Sequence, residues 1–229
     1  YQGHLPRGRA VMDCSPKSVG RSARSAGSER LERAFEIPVC ILALVFLAPL
    51  LFALAALVHL QDGGPVLFGH VRIGKDGRRF RCLKFRSMSP DAEDRLAALL
   101  RSDPQARADW RRDHKLRHDP RITPIGRFLR KSSLDEFPQL FNVLRGEMSL
   151  VGPRPIVAAE IPRYGRFYRR YCTVRPGITG LWQVSGRNQV DYRRRVALDV
   201  LYVRRRSPLL YLWVLLATIP AVLTRRGAG

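Results

Sequence analysis

The sequence contains no Cys-x-x-Cys pair. Its four cysteines, Cys14, Cys40, Cys82 and Cys172, lie far apart, and its five histidines are scattered. This spacing excludes a zinc ribbon and a dithiol redox site, and it is not a dense disulfide framework; it fits a reducing cytosol. His114 and His118 stand four apart, but no Cys or carboxylate triad completes a ligand set, so they read as solvated surface residues. The G-x-x-x-x-G-K-[ST] loop and the G-x-G-x-x-G turn are both missing, so neither common nucleotide cradle is present. No internal repeat is visible. Acidic residues are scarce, 19 Asp+Glu against 41 Lys+Arg, for a net charge of +22. Such an excess favours anionic partners: nucleic acid, anionic headgroups or phosphorylated substrates. Acidic residues interleave the basic helices, however, and the aromatic pattern of RNA readers is missing, which argues against nucleic acid.

With 229 residues there is room for one ordinary domain and a membrane element. Residues 1–29 are rich in Gly, Ser, Arg and Pro and read as a disordered basic tail without the pattern of a secretory signal. From Ile37 to Leu60 no Lys, Arg, Asp or Glu occurs. As a helix this run would be roughly 36 Å long, enough for the ~30 Å hydrocarbon core. Pro49 divides it in the middle. Arginines flank it upstream (Arg21, Arg24, Arg30, Arg33) and basic residues downstream (Arg72, Lys75, Arg78, Arg79, Arg81). The positive-inside rule then places both flanks on the cytoplasmic side, which a single span cannot satisfy and a hairpin bent at Pro49 can. The expectation is a re-entrant helix-break-helix over residues 30–60.

Beyond it, Gly74 to Gly77 separates two β-compatible runs and predicts a hairpin. Lys84 and Arg86 alternate with apolar neighbours on the second run and are expected on its polar face. Helices are expected over Pro90–Leu100, Arg107–Arg117, Glu160–Arg170 and Asp191–Arg206. In VRPGITGLWQVSGRN, glycines allow close backbone approach, with Arg175 and Arg187 at the rims; as a phosphate cradle this spacing alone is weak. Asp199 falls in the apolar component of its helix and needs a partner there. Residues 207–229 carry an apolar stretch, Leu209 to Leu223, too short for a comfortable span and suited to the interface.

The most informative stretch is SLDEFPQLFNVLRGEMSLVGPRP, Ser133 to Pro155. Ser133 and Glu136 fit a capping box, Leu134, Phe137, Leu140, Phe141 and Leu144 share one helical face, and Gly146 can end the helix. Asp135 and Glu136 can serve simply as cap and dipole partners. Two adjacent carboxylates beside Arg130 and Lys131, followed by Arg154 between two prolines, are also suited to a metal and phosphates.

These blocks, with PVLFGHVRIGKDGRRFRCLKFRSM and VRPGITGLWQVSGRN in the same order from Arg30 to Leu223, resemble the bacterial sugar transferase family, the monotopic phosphoglycosyl transferases. The likeness is strongest to exopolysaccharide-type members that load a sugar phosphate onto undecaprenyl phosphate. The resemblance implies an α/β protein, mostly α with a small β-hairpin, monotopic in the bacterial inner membrane. The catalytic domain, residues 61–206, would face the cytosol. It further implies Asp135 as nucleophile and Mg²⁺ ligand, Glu136 as its orienting neighbour, and Lys84, Arg130, Arg154, Arg175 and Arg187 on phosphates, with Asp199 at the same site. Attack of one anion on another demands a cation, and oxygen ligands select Mg²⁺. The implied partners are a nucleotide diphosphate sugar (a UDP-hexose, from the likeness of Pro90–Pro120 to the hexose branch), undecaprenyl phosphate and membrane lipids, with a homodimer left open. The chain departs from the family where Tyr211, Trp213 and Ala217 replace commonly charged positions. The competing class is a non-enzymatic, membrane-tethered basic module binding nucleic acid or anionic lipid. It does not explain the acidic pair.

Overall fold

A computed structural model of the chain describes residues 23–113, 116, 118–186 and 190–223. The expected basic tail therefore lies largely outside the described residues, as do Arg187 and His114. The fold is mostly helical with two small two-stranded sheets. By internal contacts it divides into two compact units. One comprises residues 1–41, 71–82 and 140–229, the other 42–70 and 83–139.

Helix α1 runs from Ala23 to Asp62. It is the one described helix long and apolar enough to cross a membrane, and most of its apolar side chains are uncovered, Phe46 at 83% exposure and Leu60 at 79%. It begins within the segment expected as tail. It is also continuous through Pro49, where an interruption was expected. A proline removes one N–H and crowds the carbonyl four residues back, which kinks a helix without having to end it. The end comes at Gly63, in the left-handed conformation at φ 68°, whose N–H returns to the His59 carbonyl at 2.7 Å.

The expected hairpin is present: β1 (Leu67–Ile73) and β2 (Arg79–Phe85) are joined through a 3₁₀ turn at Lys75–Gly77. Asp76 and Gly77 both adopt positive φ in that turn. Helices α2 (Ala92–Ser102), α3 (Pro104–Asp113) and α4 (Pro124–Ser132) follow. In the second unit, Leu54 and Val58 of α1, Phe85 of β2 and Leu129 of α4 form the core, with Ile125 and Leu134 packed on it. Arg86 departs from the expected polar face. It is buried, donating to the Asp62 carboxylate and to the carbonyl oxygens of Pro65 and Val58, a set of acceptors that satisfies a desolvated guanidinium.

After α5 (Gln139–Leu144), β3 (Ser149–Val151) pairs in parallel with β4 (Gly177–Thr179), Ser149 opposite Gly177 and Val151 opposite Thr179. The segment expected as one helix, Glu160–Arg170, is instead two short helices, α6 (Ile161–Tyr164) and α7 (Tyr168–Tyr171), broken at Gly165 with φ 48°. Helices α8 (Leu181–Val184), α9 (Tyr192–Arg205) and α10 (Pro208–Leu223) complete the chain. Asp191 caps α9, its carboxylate accepting from the Arg194 N–H. The first unit's core joins Ile73 and Ile156 to Tyr164, Tyr168, Tyr171, Val196 and Val200. Its cysteines also qualify an expectation: Cys40 is a free thiol, whereas Cys172 is disulfide-bonded.

Candidate active site

The acidic pair lies in the second unit, at the junction after α4. Thr123 caps this helix through the Gly126 N–H at 2.9 Å, and Pro124 occupies its first turn. Ser133 then closes it in the left-handed conformation, φ 59°, where a non-glycine residue is strained. This overturns the expected capping box, since the Ser133 side chain makes no cap bond. Leu134–Glu136 form a separate 3₁₀ turn, and α5 begins only at Gln139, because Pro138 cannot sit deeper in a helix. The acidic pair is thus held on a tight turn between two helices.

Asp135 is buried, at 7% exposure, while Glu136 is half-buried. The Lys84 ammonium at the end of β2 donates to both, at 3.2 Å to Asp135 Oδ2 and 2.8 Å to Glu136 Oε1. Burial pushes the Asp135 carboxyl above its ordinary value; the Lys84 charge pulls it back, and Glu136 raises it again. Arg130 of α4 also bears electrostatically on Asp135, and its Nε donates to Ser87 Oγ at 2.8 Å. Four of the expected residues, Lys84, Arg130, Asp135 and Glu136, are therefore neighbours in one unit.

Close packing positions this group. A Cβ on Gly126 would run into the Ser87 backbone, so α4 sits against the Ser87 strand end with no space for a methyl. Gly126→Ala is expected to lose about 1–3 kcal/mol of stability through overpacking and to displace Arg130 and the turn after it. Thermal unfolding in detergent, run beside an activity assay, measures both effects. An unchanged melting temperature would contradict the packing account.

Among the described residues no group of three or more His, Cys, Asp or Glu is placed to hold a metal. The available donor set is the two carboxylates. Mg²⁺ keeps several waters and takes one or two carboxylates with substrate phosphates, so Asp135 and Glu136 fit an ion that arrives with a diphosphate and not a resident all-protein cage.

Arg154, Arg175 and Asp199 belong to the first unit. Parallel pairing of β3 and β4 is secured by Gly177 N–H to the Pro153 carbonyl at 2.8 Å and Gly152 N–H to Thr179 at 2.9 Å. Cβ atoms on Gly177 or Gly180 would collide with the Gly152 backbone, so these glycines serve strand contact. The Arg154 guanidinium lies over the Trp182 ring at 5.6 Å, and Arg195, which sequence reasoning missed, lies over the same ring at 4.8 Å. Asp199 is 1% exposed and accepts from the Tyr164 hydroxyl at 2.7 Å. Burial lifts its carboxyl to about 7, against the pull of Tyr164, Arg195 and Arg154. Arg175 is buried near two carboxylates, 3.8 Å from Glu29 and 3.9 Å from Glu36. Arg195 stands one helical turn before Asp199 on α9, a local spacing that could have flagged it, whereas Glu36 meets Ser149, Leu150 and Tyr211 only through the fold.

Fold and site together give one helix long and apolar enough to cross a membrane and a carboxylate pair, Asp135 buried and Glu136 half-buried, bridged by a lysine. The bacterial sugar transferase model matches residues 27–225, and the chain belongs to that family. Three relatives illustrate the match. The Salmonella typhimurium undecaprenyl-phosphate galactose phosphotransferase is 51% identical over 88% of this chain and 42% of that protein. The Erwinia amylovora UDP-galactose-lipid carrier transferase is 49% identical over 92% of this chain and 44% of that protein. The Sinorhizobium fredii exopolysaccharide production protein ExoY is 48% identical over 86% of this chain and 87% of that protein. The chain thus spans well under half the length of two of these relatives and most of the third.

Proposed function

We propose that the chain transfers a sugar phosphate from a nucleotide diphosphate sugar, a UDP-hexose, to undecaprenyl phosphate, starting assembly of an exopolysaccharide or related glycan. The observation that carries this reading is the buried Asp135 beside Glu136, both held by Lys84. An Asp135 oxygen attacks the β-phosphorus. The bond from that phosphorus to the bridging oxygen breaks, and the nucleoside monophosphate leaves with the electron pair. The lipid phosphate oxygen then attacks the same phosphorus, and the carboxylate is restored. Splitting the transfer lets a soluble and a lipid substrate use one carboxylate in turn.

Lys84 bridges the two carboxylates and offsets the charge of an incoming phosphate, and Arg130 adds a second cation. Bound Mg²⁺, held by Asp135 with Glu136 beside it, would supply charge neutralisation on the phosphate oxygens. In this reading Arg154, Arg175 and Arg187 bind phosphate, with Asp199 setting the position of Arg154. Helix α1 enters and leaves by the cytoplasmic face of the inner membrane with its bend at Pro49. The basic flanks support that path.

The test is turnover by the full chain in detergent with undecaprenyl phosphate and a panel of UDP-sugars, following nucleotide release and the lipid product. Release of UMP with formation of a lipid-diphosphate sugar is expected for at least one hexose. No turnover across the panel, together with salt-sensitive DNA binding, would favour the basic-module reading instead.

A further inference from the structure

Arg154 is mounted at both ends. Pro153 and Pro155 restrict the backbone on either side of it, and its amide and its charge both bear on the buried Asp199 carboxylate of α9. Among the described residues its guanidinium has no hydrogen-bond acceptor and no salt bridge; what holds it is the face of Trp182, 5.6 Å away at the ring centroid. A five-donor fork seated over a ring, with no protein acceptor, is left to a ligand. Trp182 itself is buried on α8, and its Nε1–H has no acceptor. Packing on its faces, and not a hydrogen bond, keeps the indole in place.

Arg195 meets the same ring. It stands four residues before Asp199 on α9, so the two side chains leave one face of that helix. Its guanidinium lies 4.8 Å from the Trp182 centroid and 5.2 Å from that of Tyr192. Its Nε and Nη2 are buried without a hydrogen-bond partner, with Glu160 Oε1 standing 3.8 Å from Nη2. Glu160 is already engaged, by the Val157 N–H at 2.9 Å and the Tyr192 hydroxyl at 3.3 Å. A buried guanidinium that forgoes hydrogen bonds is costly, and contact with the two ring faces offsets that cost. Two guanidiniums over one indole also repel each other, and an anion bound to Arg154 relieves the repulsion.

We infer that Trp182 is the platform on which the Arg154 guanidinium is held ready for a phosphate, and that Arg195 fixes this platform from α9. Both are positioning residues, acting on the substrate only through Arg154. This rests on the transfer reading given above, in which Arg154 binds phosphate. The loss on removing either residue falls on kcat/KM for the nucleotide sugar, and it vanishes once Arg154 is gone. A merely structural role would not depend on Arg154.

A double-mutant cycle on the full chain in detergent measures this dependence, with saturating undecaprenyl phosphate and whichever of UDP-galactose and UDP-glucose the native chain turns over faster. Trp182→Leu is expected to lower kcat/KM about five- to thirtyfold, the worth of a desolvated cation–π contact, when Arg154 is present. In the Arg154→Ala background the same change should cost less than twofold. Trp182→Phe, which keeps a ring face, should restore most of the loss. Arg195→Met keeps the side-chain stem and should lose about three- to tenfold, again only when Arg154 is present; it carries the cycle if Trp182→Leu does not fold. Equal losses in the two backgrounds, or none in either, overturn the inference. Unchanged turnover by Arg154→Ala overturns it while the transfer reading stands. No turnover by the native chain with either sugar nucleotide overturns both.

Discussion

Replacing Asp135 with Asn is expected to lower turnover by about four orders of magnitude, a loss typical of removing a nucleophile from a site whose other parts remain. The change is nearly isosteric, and Lys84 keeps Glu136 as a partner. It also removes a charge that burial disfavours, so the melting temperature should hold or rise while activity disappears. That split separates a chemical role from a structural one. With labelled nucleotide sugar and no lipid acceptor, the native protein should gain the mass of a phosphosugar, and the Asn variant should not. The pH dependence follows from the same group. Only the ionised carboxylate attacks, and its pKa in the folded protein lies above the ordinary value. Activity should therefore rise with pH through a midpoint above ~3.9, the value of a free aspartate. Normal turnover by the Asn variant, or a protein that never carries the label, would eliminate the covalent route.

How far this site could be read in advance depended on how local each signal was. The hairpin at Gly74–Gly77 and the stop at Gly146 depend on residues a few positions apart, and each is where it was expected. The acidic pair was visible for the same reason, but its immediate geometry was not. Ser133 could cap the following helix or close the preceding one, and packing of α4 through Gly126 and Leu129 decided for the latter. Lys84 stands 51 residues before Asp135; nothing in the alternation of β2 shows that its polar face meets a carboxylate pair, and only the family likeness pointed there. Arg86 lay two positions further along the same strand pattern, yet it is buried on Asp62. Strand alternation assigns a face; the residues opposite it decide whether that face is solvent, a salt bridge or a site.

Glu36 is the extreme case, a carboxylate fully removed from solvent at the threshold of the apolar run. Its Oε1 accepts from the Ser149 hydroxyl, from the Leu150 N–H at 2.9 Å and from the Tyr211 hydroxyl at 2.9 Å. Arg33 and Arg175 each stand 3.9 Å from its other oxygen. One side chain thus ties α1 to β3 and α10 and offsets a buried guanidinium. Its hydrogen-bond partners lie more than a hundred residues away, so the sequence around it gave no hint of this. Truncation as Glu36→Ala leaves three donors without an acceptor and Arg175 with only Glu29 nearby. Removing one partner of a buried pair costs about 3–5 kcal/mol. At roughly 2–4 °C per kcal/mol for a chain of this size, the melting temperature should fall by about 6–20 °C. Tyr211→Phe, which deletes one bond to a charged acceptor, should cost about 1.5–3 kcal/mol. Glu36→Gln should fall below Glu36→Ala in its effect, because the amide oxygen can keep the three donors. A Glu36→Ala protein melting within a degree or two of the native chain would mean that these contacts do not hold α1 and α10 to the sheet.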